Sequence, residues 1–345
     1  MKIGLLIYGS LDTLSGGYFY DRKLVESLRE QGDEVSIISL RWRNYAAHLS
    51  DNLAFKLPRG LDVLIQDELN HPSLIGANCA PRPYPVVSLV HHLRCSELRP
   101  TWQNHFYRVI ERTYLQSADG FIFNSKTTQK AVEEIIKNKK PFAIGYPPTD
   151  RFGEGVAEDK ILARARQEPF QILFLGNVMR RKGLHTLLNA LRRLPAARFT
   201  LNVVGSLQVE PEYARQMRRL APPNVRFHGA LNNETLAAQL QQAHLLAVPS
   251  SYEGFGIVYL EGMGFGLPAI GTTSGAASEI IQDGETGFLI PPEDSAALAA
   301  QLQRAAEDRT LLTKLSLNAL ARYRLQPTWN ETAANIRDFL QSLIV

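Results

Sequence analysis

The chain has 345 residues, 45% apolar and 21% charged, with a net charge of +4 and two cysteines, Cys79 and Cys95. That length suggests two domains, and the composition excludes a disordered chain, a disulfide scaffold and a membrane span of about 18 uninterrupted apolar residues. The positive charge is spread over both halves, whereas a nucleic-acid binder concentrates it, so phosphates and other small anions fit better and no nucleic-acid partner is expected.

The apolar run after Lys2 is short and lacks a small-residue cleavage site, so it reads as a first buried strand at Ile3–Tyr8. With so few cysteines, a reducing, cytoplasmic location is expected. A helix over Tyr18–Glu30 stops at Gly32, and strand Val35–Leu40 follows. Further strands are predicted at Val63–Ile65, Val86–Val90, Gly120–Asn124 and Phe142–Ile144, with helices at Thr101–Gln116 and Thr127–Lys137. This alternation predicts a parallel sheet covered on both faces. Residues 147–169 carry Pro147-Pro148, Gly153 and Gly155 and no long apolar run, the composition of a linker.

The rhythm then restarts. Strands are predicted at Gln171–Leu175, Thr200–Val204, Val225–His228, Leu245–Val248 and Ala269–Thr272, with helices at Leu184–Leu194, Pro211–Leu220, Glu234–Ala243 and Gly256–Phe265 and a helical end from Ser295. The expected architecture is α/β, two Rossmann-like domains in series, with ligand at the carboxyl ends of the strands in a cleft between them.

Two stretches carry chemistry. Residues 250–270, SSYEGFGIVYLEGMGFGLPAI, hold Glu253 in a strand-to-helix turn and Glu261 within the following helix. Eight helical residues span about 12 Å, beyond the roughly 5–9.5 Å of paired glycosidase carboxylates. The spacing suits the two ends of one elongated, hydroxyl-rich ligand; an N-terminal helix charge and a surface glutamate are the alternative. Gly254 and Gly256 permit close backbone approach to a ligand, and the helix start is an anion site. The second stretch, residues 173–191, runs strand, loop, helix with Arg180, Arg181 and Lys182 at the helix start. Three cations there oppose the macrodipole unless an anion is held beside them. No Asp-x-Asp occurs, so no metal is expected and no cofactor required.

With these residues, the chain resembles the retaining glycosyltransferases of family four (glycosyl transferases group 1, GT-B fold). The resemblance rests on Glu253 and Glu261, the loop GNVMRRKG, the tail GAASEIIQDGETGFLIPPED with Glu279, the first loop with Gly16 and Gly17, and SADGFIFNSKTTQKAV with Ser125. It implies two Rossmann-like domains facing a central cleft. Residues 1–149 would form an acceptor-side domain, joined by a last helix at about 329–345 that crosses back to it. Residues 150–328 would bind the nucleotide-sugar donor. It implies transfer of a sugar from a nucleotide-diphospho-sugar to an acceptor hydroxyl. Lys182 and Arg181 would hold the diphosphate, Glu253 the donor sugar, Glu261 the ribose, and His91 would face the sugar, with His92 as the competing assignment. Gly16, Gly17, Asn177, Gly229, Ala230, Leu231, Gly254, Phe255, Gly256 and Ile257 would complete the donor site. Asn177 stands where the family often has arginine, and Gly262 and Gly264 replace commoner alanines, which predicts a looser helix at about 1 kcal/mol per glycine. An epimerase or hydrolase on the same fold, or a non-catalytic nucleotide-sugar binder, are the rival functions. The segment from Arg99 to Arg108 and the cluster Lys137, Lys139 and Lys140 are candidates for weak peripheral contact with anionic lipid, as against solvated helix faces.

Overall fold

A computed structural model describes residues 1–13, 15–148, 150–153 and 155–344. The chain divides into two compact units, Met1–Pro148 with Pro327–Val345, and Thr149–Gln326. Thr149, where the sequence suggests the domain boundary, and Val345 lie outside the described residues.

In chain order the first unit comprises β1 (Lys2–Tyr8), α1 (Gly16–Glu30), β2 (Glu34–Leu40), α2 (Tyr45–Leu49), β3 (Val63–Asp67), α3 (His71–Asn78), β4 (Val86–Val90), α4 (Thr101–Ser117), β5 (Gly120–Phe123), α5 (Lys126–Ile136) and β6 (Phe142–Ile144). Every residue of β3, β4 and β5 is buried, as expected of central parallel strands covered on both faces. The sheet order is β2-β1-β3-β4-β5-β6, all parallel. Chain direction therefore reverses across the sheet at the β1/β3 junction. Helices α2 and α3 have no strong apolar period, which is why sequence patterning passes over them.

The second unit comprises α6 (Glu158–Arg164), β7 (Phe170–Leu175), α7 (Leu184–Leu191), β8 (Phe199–Val204), α8 (Pro211–Leu220), β9 (Val225–Gly229), α9 (Asn233–Gln242), β10 (Leu245–Ala247), α10 (Ile257–Gly264), β11 (Ala269–Thr272), α11 (Ala277–Ile280), β12 (Gly287–Ile290), α12 (Ser295–Glu307) and α13 (Arg309–Arg324). Its parallel sheet runs β12-β11-β10-β7-β8-β9, a Rossmann order that reverses between β7 and β10. The linker expected at 147–169 is corrected over α6. Ile161 is buried there, and the buried Arg164 donates to the carbonyls of Phe265 and Gly266 at 2.9 and 3.0 Å. Two helical turns with one large apolar anchor leave no periodicity to read.

The glycines of α10 serve packing. A Cβ on Gly262 would come to 3.0 Å from Leu246, and one on Gly264 to 2.8 Å from the Tyr323 ring. They let α10 lie close on β10 and α13. Gly266, at φ +65°, ends the helix, and Leu267 N–H donates to the Gly262 carbonyl at 3.0 Å.

The helical end divides into three, because Asp308 caps α13 and Thr328 opens α14 (Trp329–Ser342) with a capping box to Glu331. Helix α14 belongs to the first unit. Its buried Trp329, Ala333, Ile336 and Leu340 recur at helical spacing. Trp329 meets Tyr20 edge-on at 5.1 Å, and Arg337 donates to Asp33 at 2.7 Å. The C-terminal helix thus crosses back to the N-terminal half.

Candidate functional site

In the second unit the site is built on the two strands that flank the β7/β10 reversal, where open α/β sheets bind ligands. The loop after β7 carries Arg180, Arg181 and Lys182 on a single 3-10 turn that ends at Gly183. Gly183 has φ +71°, and any Cβ there would overlap the Pro249 carbonyl. The glycine therefore lets this loop press against the loop after β10, and Ser251 N–H donates to the Arg181 carbonyl at 2.8 Å.

This contact brings Lys182 Nζ to 2.5 Å from Glu253 Oε1, with Arg181 3.7 Å from Oε2. Ser250 also donates to Glu253, at 2.5 Å, and Arg181 donates to the Tyr252 carbonyl at 2.7 Å. From the other side Gly275, at φ +76°, pairs with the Glu253 backbone, and Ala276 N–H donates to the Glu253 carbonyl at 2.8 Å. Glu253 is only 5% exposed and Glu261 only 4%, so the alternative of a surface glutamate at Glu261 is overturned. Burial opposes the charge of Glu253, yet Lys182 and Arg181 outweigh burial and hold its carboxyl down at about 2. Burial lowers the Lys182 ammonium, with Glu253 opposing. The expected cost of three cations at a helix start is met within the chain: a carboxylate occupies the position next to the lysine.

Gly256 caps α10 at φ +93°, where a Cβ would strike the Tyr259 ring at 2.6 Å. Tyr259 in turn donates to the Val248 carbonyl at 2.7 Å. The start of α10 is thus fixed beside Glu253, with Gly254 half-buried, Phe255 buried and Ile257 half-buried. One and a half turns on, Glu261 is 4% exposed, and burial raises its carboxyl against the pull of Arg151. Arg151 Nη1 donates to Glu261 at 2.7 Å, and its Nε and Nη2 reach Asn233 at 3.1 and 2.7 Å. Asn233 begins α9, two residues past Leu231. Gly229 ends β9 at φ +72°, Ala230 is exposed and Leu231 half-buried. Asn177 Oδ1 accepts from Ser206 N–H at 3.3 Å. Arg151 is the participant that the sequence conceals, since its segment has no motif and lies 110 residues from its partner.

In the first unit, Gly17 sits in the first turn of α1, directly after Gly16, and a Cβ on it would lie 3.3 Å from the His91 ring. The structure brings those two expected residues together. His91 Nε2–H donates to Asp21 Oδ1 at 2.9 Å, and Asn124 donates to the His91 carbonyl at 2.8 Å. His92 turns instead to Glu97, at 3.0 Å. Burial works against an imidazolium, but Asp21, Asp67 and Glu68 outweigh it and hold His91 up at about 9. Asp21 is fully buried, and its Oδ2 has no hydrogen-bond partner among the described residues. Burial, then Asp21, raises the Asp67 carboxyl. Sequence reasoning gives no role to Asp21, which follows Gly16 and Gly17 in the first-loop stretch, or to Asp67; the fold supplies it.

Among the described residues two groups have donor atoms close enough to share a cation, Asp21 with Asp67 and His91, and Glu68 with His71 and Glu111. Apart from Glu68 and His71, three residues apart, their members are far apart in sequence and leave no spacing signal. In the first group, against the effect of burial, the carboxylates of Asp21, Asp67 and Glu68 favour the charged imidazole of His91, so a cation there would have to displace its proton. Among the described residues no helix is long and apolar enough to cross a membrane.

Residues 157–322 match the family model described as glycosyl transferases group 1. A D-rhamnosyltransferase, WbpZ, of Pseudomonas aeruginosa is 28% identical over 258 residues, which are 70% of this chain and 67% of that protein. The chain spans between about half and two thirds of the length of most curated relatives it matches. Sucrose-phosphate synthase from Thermosynechococcus elongatus superposes with a TM-score of 0.81 at 21% identity, over 99% of this chain and 98% of that one. HepE of Anabaena, solved with UDP and glucose, gives 0.76 at 20% identity over 99% and 100%. Matched sequence in the second unit and matched architecture along the whole chain agree: residues 157–322 match the group 1 glycosyltransferases, and the chain has the GT-B fold.

Proposed function

We propose that the protein is a retaining, family-four glycosyltransferase that moves a sugar from a nucleotide-diphospho-sugar to an acceptor hydroxyl. The observation that carries this reading is the buried Lys182–Glu253 pair at the β7/β10 reversal, with Arg181 beside it. A cation already desolvated and fixed is suited to stabilise charge developing on a leaving diphosphate without reorganising.

In this reading the donor diphosphate meets Lys182 and Arg181, and the N–H groups at the start of α10, from Gly254 to Ile257, add to them. Asn177 lines the same loop. Displacing Lys182 from Glu253 frees that carboxylate to accept hydrogen bonds from the donor sugar's hydroxyls. Glu261, oriented by Arg151, accepts from the ribose hydroxyls, and the backbone at Gly229, Ala230 and Leu231 lines the base. In the first unit Gly16 and Gly17 allow close approach of the donor phosphate and acceptor, and the His91 imidazolium donates to the donor sugar. With its carboxylate engaged by the sugar's hydroxyls, Glu253 is a poor nucleophile. The departing phosphate oxygen therefore takes the acceptor hydroxyl's proton as the new glycosidic bond forms on the same face. This mechanism requires no divalent cation. HepE, crystallised also with UDP-glucose, is an example of the fold holding such a donor.

The test is direct. Calorimetric titration with a panel of nucleotide-sugars identifies the donor, and NMR of the product with an accepted hydroxyl compound reads the anomeric configuration. Retention, with turnover undiminished in EDTA, is the expected result. Inversion, or complete donor consumption without any acceptor, overturns it.

A further inference from the structure

Helix α4 buries Tyr114 and Leu115 and also turns an apolar stripe outward. Trp102, Phe106 and Val109 fall on one stripe at helical spacing and are 71%, 47% and 53% exposed. Leu98, just before the helix, is 62% exposed. His105, Arg108 and Arg112 are exposed among them. The single acid in the helix, Glu111, is fully buried and accepts from the N–H groups of Arg94 and Cys95 at 2.5 and 3.1 Å. A helix at an ordinary protein surface turns its apolar stripe inward, and isolated exposed apolar residues need no explanation whereas contiguous ones do.

A second element extends this face. Trp42, 59% exposed, stands between the exposed Arg41 and Arg43 in the loop after β2. Tyr45, at the start of α2, packs on Phe106 at 6.2 Å and Tyr107 at 5.0 Å, so the loop runs beside α4. The acids nearby are already neutralised: Asp51 by Arg43, Glu97 by Arg99 and Asp119 by Arg82. Lys140 adds a cation at the end of the helix, donating to the Gln116 carbonyl at 2.6 Å. The loop after β2 and the segment leading into α4 both leave the carboxyl edge of the first sheet, the edge from which Gly17 and His91 also project.

We propose that this aromatic and cationic face docks on an anionic lipid surface, and that the acceptor hydroxyl is carried by a lipid at that surface. The second clause rests on the glycosyl-transfer reading; the first does not. Charge selects the occupant. A second copy of this chain, meeting the same face across a two-fold axis, would set Arg41, Arg108 and Arg112 against their own like charges. An anionic leaflet complements them, while the indoles and Phe106 enter the headgroup region and the helix lies in its plane. Neither the aromatic stripe nor the missing surface acids serves the donor site.

The experiment uses the full chain and vesicles of phosphatidylcholine, alone or mixed with phosphatidylglycerol. Co-sedimentation is expected with the mixed vesicles only, weakening as salt rises, with a blue shift of tryptophan emission and quenching by brominated lipid. The double variants Trp102→Ser with Phe106→Ser and Arg108→Glu with Arg112→Glu should each bind roughly tenfold more weakly. Their thermal unfolding and donor titration should be unchanged. The proposal is overturned if the protein stays in the supernatant with mixed vesicles, if the variants bind as the parent does, or if sedimentation velocity without vesicles shows a dimer that the variants abolish. Vesicle binding is read without donor, so loss of donor binding would count against the proposed reaction and leave this result standing.

Discussion

The two units share a parallel six-stranded sheet and a direction reversal, yet they furnish it with opposite electrostatics. At the β7/β10 junction a single carboxylate is surrounded by cations, Lys182 and Arg181 about Glu253. Near β1, β3 and β4 a single imidazolium is surrounded by carboxylates, Asp21, Asp67 and Glu68 about His91. Desolvation is the same in both, so the partner decides which group keeps its charge. A site rich in fixed cations suits a phosphate. A site whose one cation is held by buried acids suits donation of a hydrogen bond to a neutral hydroxyl.

Four substitutions can break or sharpen that contrast. The largest effect is expected for Lys182→Ala, which should lower kcat/KM by about 10²–10³-fold. Near-normal steady-state kinetics would remove the second unit's claim to the reaction.

Glu253→Gln comes next. Removing one partner of a buried pair leaves the other uncompensated and costs about 3–5 kcal/mol, measurable by urea unfolding at neutral pH. The folded carboxyl sits at about 2, below roughly 4.3 in the unfolded chain. The pair's stabilisation is therefore present above pH ~4.3 and disappears as pH falls through about 2. The gap between parent and variant should close over that acid window, and a gap independent of pH there would show that packing, not charge, sets the loss.

Asp21→Asn tests the first unit. It keeps an acceptor for His91 Nε2–H while removing the charge, so the alkaline limb of the rate profile should move down by about 1–3 pH units. The sign in stability is opposite to that of Glu253. His91 stands at about 9 when folded, above roughly 6.5 when unfolded. Its contribution is complete below pH ~6.5 and is lost as pH rises through about 9. An unmoved alkaline limb would mean that Asp21 only fills space.

The smallest effect is expected for Glu261→Gln. A hydrogen bond to a charged group is worth about 1.5–3 kcal/mol, so donor KM should rise on the order of tenfold with kcat little changed. A fall in kcat at constant KM would move Glu261 from donor binding to the chemical step.

Most strands were legible in the sequence because central parallel strands are apolar runs bounded by glycine, proline and polar residues, as at Val63–Ile65 and Leu245–Val248, whereas β12, four residues at the sheet edge, went unread. Glu253, Glu261 and Lys182 were legible as motif positions, but their pairing was not. Lys182 and Glu253 are 71 residues apart, and only the close passage at Gly183 makes them neighbours. Arg151 and Asp21 were hidden for a related reason: a lone charge in a glycine-rich segment or a helix looks solvated until its partner is placed. Helix α6 escaped because its two turns bury one large apolar residue, Ile161, and an arginine, Arg164, which apolar patterning scores as surface.

Helix α14 bears on how the molecule is made. Trp329, Ile336 and Leu340 each add about 1.5–3 kcal/mol of burial to the core formed by α1 and the first sheet, yet they are synthesised after the whole of the second unit. During translation the later half can finish folding while the earlier one still lacks a wall. Until the last helix emerges, the flank of α1 around Tyr20 stays uncovered, and the nascent chain carries its sticky surface at the end that left the ribosome first.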